Sequence, residues 1–122
     1  MNNILLVFIG GGLGSVTRYL LGLFMQKSIQ SSIPWHTLAA NIIASALLGF
    51  VVATIALRPG NFEHQRLFIG IGFCGGLSTF STFTMEGFEM FRAGNIGLAL
   101  TYTLVSVVVC LIAFWAAWML QK

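Results

Sequence analysis

The chain has 122 residues, 57% of them hydrophobic and only 7% charged, whereas a soluble domain carries roughly a quarter charged residues. It could not cover a water-facing surface and belongs in a bilayer, as one domain (1–122) in which four spans of about 20 residues use nearly the whole length. A formal charge of +3 spread without a basic cluster argues against a nucleic-acid partner, and no soluble part remains to house an enzyme.

The first apolar run covers about 4–25. No Lys or Arg precedes it, so it lacks the basic lead of a cleaved signal peptide and reads as a span. Gly10 and Gly14 form a GxxxG, a spacing that lets helix backbones approach closely. Arg18 lies inside this run, about 11 Å of helix rise from its end. Either it extends outward to the interface, or it fixes a positive charge at an aqueous vestibule and attracts anions.

The second run, about 37–57, is entered through Pro34 and Trp35 and closed by Arg58, Pro59 and Gly60. Thr37, Asn41, Ser45 and Gly49 recur every fourth residue and share one helix face. Lipid would leave such a stripe unsatisfied, so it must face protein or water. Asn41 stands out, because its amide brings two donor hydrogens and an acceptor to membrane depth. These groups either tie neighbouring helices together or line a path.

The third run, about 67–91, contains GGLSTFSTFTMEGFE from Gly75 to Glu89. A glycine pair near mid-span, followed at once by Ser78, Thr79, Ser81 and Thr82, predicts a broken helix. Glycine permits unusual backbone angles, hydroxyls satisfy released carbonyls, and such breaks expose carbonyls to cations in some transport proteins. Gly72 and Gly76 make a second GxxxG. Beyond the break Phe80 and Phe83 share a face. They either pack helices or present ring edges, which are electropositive, to an anion. One or both of Glu86 and Glu89, late in the run, are expected near the interface, where an Arg could pair with them.

The fourth run, about 96–119, carries Tyr102, Ser106 and Cys110 on one face. Cys74 and Cys110 read as small apolar fillers, without metal-ligand spacing. His36 and His64 fall in the connections, away from the hydroxyl-rich centre. Ser78 and Ser81 have no nearby base, so hydrolytic chemistry has little to build on. Trp35, Trp115 and Trp118 lie at run ends, where interfacial aromatics sit. With four spans, Arg58, Arg66 and Lys122 share one side against Lys27 and Arg92. So even a balance leaves two readings: one weakly determined orientation, or insertion both ways.

GFCGGLSTFSTFTMEGFEMF, with GGGLGSVTRYLLG, TLAANIIASALLG and the pair Tyr102 and Ser106, resembles the Fluc (CrcB) family of fluoride channels along the whole chain. The resemblance implies an all-α membrane protein of four transmembrane helices that forms an antiparallel, dual-topology homodimer in the cell inner membrane. It would passively export fluoride and lower its cytoplasmic toxicity. The resemblance also implies that Phe80 and Phe83 line the pore and that Asn41 reaches toward it. Ser81, Thr82, Tyr102 and Ser106 would add polar contacts, with Thr37 on the polar track and Arg18 near the vestibule. Backbone carbonyls of Gly75 and Ser78 would hold a structural Na+ that is not transported. Two other classes compete: a small dual-topology proton-coupled exporter, which would want a carboxylate in its first span, and a structural membrane subunit, which would need no polar track.

Overall fold

The computed structural model describes residues 2–122 as four helical spans joined by short connections. We label them α1 (Asn3–Ser28), α2 (Trp35–Leu57), α3 (Glu63–Arg92) and α4 (Ile96–Met119), each long and apolar enough to cross a membrane. The side chain of Asn2 caps α1 by accepting the Ile4 N–H at 2.9 Å, a role suited to a short polar residue at a helix start. Between α3 and α4 the chain turns at Gly94, whose φ of 87° a residue with a Cβ adopts only at a cost.

Both chain ends lie with the second connection. Asn3 donates to Glu63 (3.3 Å), and the Arg58 guanidinium donates to Gln121 (2.9 Å). Large apolar side chains such as Ile4, Leu104, Leu111 and Trp115 stay exposed along the spans, as a lipid-facing surface requires.

The two GxxxG motifs are each other's partners. A methyl group on Gly10 or Gly14 would overlap the carbonyls of Phe68 and Phe73 in α3, and one on Gly76 would overlap the Gly11 carbonyl. Without a hydrophobic drive between helices in lipid, this close backbone seam is how α1 holds α3. Gly49 serves the same purpose on α2, where it lies against the backbone of Phe114 in α4. The core forms in two places. Ala40, Ala44, Cys74 and Leu77 pack where α2 meets the first half of α3, and Leu38, Met90, Ala99 and Tyr102 where α2, α4 and the second half of α3 meet.

α3 is broken, but not at its glycine pair. Its first half begins as Glu63–Gln65 and widens into a π-helix over Arg66–Cys74, a form with i→i+5 bonds that is rare at this length. It then tightens again at Gly75–Leu77. Gly75 is helical (φ −64°, ψ −36°), and the chain turns extended only at Ser78 (ψ 155°) and Thr79 (φ −150°, ψ 120°) before Phe80–Arg92 resumes. Gly76 is used for close approach to α1 and not for freedom of φ, so the break falls on the hydroxyl residues instead.

Candidate functional site

Asn41 makes the break. Its Oδ1 accepts the Thr79 N–H (2.8 Å) while its Nδ2 donates to the Thr79 carbonyl (3.3 Å). One amide thus takes both backbone groups of Thr79 in place of helical partners. Thr79 in turn caps the second half of α3, its Oγ1 accepting the Thr82 N–H at 3.2 Å. The N–H groups of Thr79 and Thr82, four residues beyond Gly75 and Ser78, are therefore committed elsewhere. That leaves the Gly75 and Ser78 carbonyls free for another donor or a cation. Gly76, between them, has its carbonyl bound by Arg18 Nε at 3.1 Å. Among the described residues no group of three His, Cys, Asp or Glu gathers in metal-binding geometry.

Beside the break lies a cavity of about 380 Å³ whose lining includes Asn41 and Ser45 from α2, Ser78, Thr79, Phe80 and Phe83 from α3, and Ser106 and Cys110 from α4. The Phe80 and Phe83 rings are 5.8 Å apart and tilted by 42°, and Phe83 stands 5.3 Å from Tyr102 at 44°. Such tilts bring ring edges, not only faces, to the space between them. Ser106 Oγ is buried and, among the described residues, is the buried side-chain polar atom with no hydrogen-bond partner. Asn41 spends one of its two N–H hydrogens on Thr79 and keeps the other. The cavity wall thus joins aromatic and aliphatic side chains, among them Phe80, Phe83, Val107, Leu111 and Phe114, to the polar residues Asn41, Ser45, Ser78, Thr79 and Ser106.

Toward the surface at the α2 N-terminus lies a larger cavity of about 570 Å³, which includes His36, Thr82, Met85, Glu86 and Glu89 in its wall. Glu86 belongs to the wall of this outer cavity. Its Oε1 accepts from Thr37 Oγ1 (2.6 Å) and its Oε2 from Tyr102 Oη (2.9 Å). It is only 9% exposed. Where the sequence left an Arg partner open for Glu86, the structure gives it two hydroxyl donors, with the imidazole of His36 nearby. Histidine 36 is likewise no remote loop residue, with its Nε2 3.6 Å from Glu86 Oε1.

The residues singled out in the sequence thus divide. Asn41, Ser78, Phe80, Phe83 and Ser106 meet at the inner cavity, with Cys110 in its wall as well. Thr37 and Tyr102 spend their hydroxyl hydrogens on Glu86. Thr82 lines the outer cavity, and Ser81 is exposed with its Oγ 3.4 Å from Thr79 Oγ1. Arg18 is on another face, in a hollow with Ser15, Tyr19 and Gln26, and reaches the break through Gly76. Sequence reasoning missed Glu86 and His36. The available signal was that Glu86 continues the i, i+3 face of Phe80 and Phe83, and that His36 adjoins Thr37.

Together these features define a class: a small, four-span helical membrane protein whose broken third span borders a cavity lined by aromatic rings and polar side chains. The family model described as CrcB-like protein, Camphor Resistance (CrcB) matches residues 5–118, and the chain belongs to the CrcB family. It is 41% identical over 116 residues to the fluoride-specific ion channel FluC of Agrobacterium fabrum, covering 95% of this chain and 93% of that protein. The FluC of Leptospira interrogans is 41% identical over 122 residues (98% and 95%), and that of Bacteroides fragilis 39% over 116 (93% and 91%).

Proposed function

We propose that this protein is a fluoride-specific ion channel of the cell inner membrane, not an enzyme, and that it lets fluoride leave the cytoplasm passively. The observation that carries the reading is the inner cavity, whose wall brings Phe80 and Phe83 together with Asn41 and with Ser106, a residue whose buried hydroxyl has no hydrogen-bond partner among the described residues. Fluoride holds its water strongly, so a pore must replace that shell with donors and positive ring edges while binding weakly enough to release the ion. Asn41 cannot turn away from the path, because both its amide atoms are tied to Thr79. Thr82 in the outer wall, Thr37 and Tyr102 through Glu86, and Ser81 would extend the polar track, with Arg18 supplying positive charge beside the break.

The functional unit is an antiparallel, dual-topology homodimer. Support comes from the near-even basic charge on the two sides of the spans and from the wide exposure of Phe80, 79%, which leaves one wall of the cavity to be completed. The carbonyls of Gly75 and Ser78, whose helical donors are engaged elsewhere, would hold a structural Na+. Bound there, the ion would supply fixed positive charge and tie two breaks together.

Fluoride efflux from proteoliposomes, with valinomycin carrying K+ as counter-ion, tests the reading. Efflux should proceed without a proton gradient while chloride stays trapped. The buried Glu86 carboxylate gives the proton-coupled exporter one specific observation in its favour, and the same assay separates the two. Flux that stops when the proton gradient is collapsed would assign the protein to exchange. Vesicles that release no fluoride under either condition would leave only a structural subunit.

A further inference from the structure

The outer cavity holds an arrangement that the pore lining does not account for. His36 stands in the first turn of α2 with its side chain 26% exposed, so water and protons reach it. Its Nε2 is 3.6 Å from Glu86 Oε1, too long for a hydrogen bond but within ion-pair distance. The same oxygen already accepts from Thr37, and the other Glu86 oxygen from Tyr102, so the carboxylate is held in place to face the imidazole.

The charge around His36 is one-sided. Glu86 of α3 faces it directly, Glu89 of α3 shares the cavity wall, and Tyr102 of α4 is reached through Glu86. The part of α1 that borders the cavity supplies Met25 and Gln26, which do not titrate, and neither Lys nor Arg lines the space. An anion entering at this end therefore meets two carboxylates, and among the described residues of this wall the basic side chain is His36.

We propose that His36 is a titratable entry residue for the anion, a reading that rests on the channel function above. Protonated, it pairs with Glu86, offsets the negative charge of the outer cavity and raises the local fluoride concentration at the approach to Phe83 and Phe80. Neutral, it leaves the carboxylates uncompensated, and they repel the ion. Histidine is the side chain whose charge changes in the range from about pH 5 to 8, and a charged cleft alters the local ion concentration and on-rate. Fluoride conduction should therefore rise as the solution is acidified.

The test is fluoride current in planar bilayers, with equal solutions on both sides so that the direction of insertion does not matter. Neutral hydrogen fluoride crosses without carrying charge, so current reports the ion alone. Between about pH 8 and about pH 5.5 the unaltered protein should gain about two- to fivefold in current, the effect of one unit charge a few ångströms from the path in a wet cavity. His36→Gln should stay at the alkaline level throughout, and His36→Arg should stay at the acidic level. His64→Gln, in the second connection, should keep the full rise. If the Gln variant does not assemble, high current at about pH 8 in the Arg variant carries the test. A fluoride current that is flat in the unaltered protein, or that rises equally in His36→Gln, overturns the role of His36 and leaves the channel standing. No fluoride current at any pH from an assembled protein overturns the channel reading and this proposal with it.

Discussion

Asn41 shows how a single side chain sets local structure. Its amide replaces two helical backbone bonds at Thr79, so Asn41→Ala leaves a buried N–H and carbonyl unsatisfied. The expected loss is about 2–4 kcal/mol, read as a lower unfolding midpoint in detergent, and flux should fall in the protein that still folds. The ring pair separates packing from electrostatics. Isoleucine fills much of a phenylalanine's volume but has no positive edge. We expect Phe80→Ile or Phe83→Ile to reduce fluoride flux strongly while the size-exclusion profile is unchanged. Normal flux in both would return the rings to helix packing. Asn41, the rings and the hydroxyls were legible in the sequence because polar and aromatic groups recurred at helical spacing in an apolar chain. Glu86 was not, since its burial is set by Thr37, 49 residues away, and Tyr102, 16 away.

At the scale of the element, the glycines of α1 and α3 are the decisive feature. Gly14 and Gly76 lie against backbone, which cannot move aside as a side chain can, whereas nothing lies within 4 Å of the position a methyl would take on Gly12. Gly14→Ala and Gly76→Ala should each destabilise the protein by about 1–3 kcal/mol or more, with Gly12→Ala near neutral or slightly stabilising. Thermal unfolding in one detergent compares the three directly. Equal effects would mean that the seam between α1 and α3 is not where tight packing resides. The position of the break belongs to this scale too. From the sequence, the glycine pair was the weakest point of the third helix. In the fold both glycines stay helical, Gly76 against the α1 backbone and Gly75 exposed, while the amide of Asn41 takes both backbone groups of Thr79.

For the whole molecule, the near balance of charge across the spans bears on insertion. Arg58, Arg66 and Lys122 lie at one end and Lys27 and Arg92 at the other, leaving little positive-inside bias. A terminal cysteine tag in oriented cells should be labelled from outside in only part of the population. Uniform labelling, or its complete absence, would rule out dual topology. Several lysines added to one terminus should bias insertion and lower fluoride efflux when that variant is expressed alone, with recovery on co-expression of an oppositely biased variant.

The sequence by itself determined the solvent, the number of spans and the residue types that matter. Hydropathy accumulates over each run of neighbours, and helical periodicity needs no knowledge of the partner. Even the side of the membrane shared by the termini and the second connection follows from counting spans, and the contacts of Asn3 with Glu63 and Arg58 with Gln121 agree with it. Tertiary structure alone decided which polar groups spend their hydrogens on each other and which keep them. Thr37 and Tyr102 carry hydroxyls as Ser106 does, but theirs are committed to Glu86, whereas that of Ser106 is left unpaired. A hydrogen bond is short-ranged and directional, so its partner depends on distances between helices far apart in the chain, and periodicity along one helix carries no information about them.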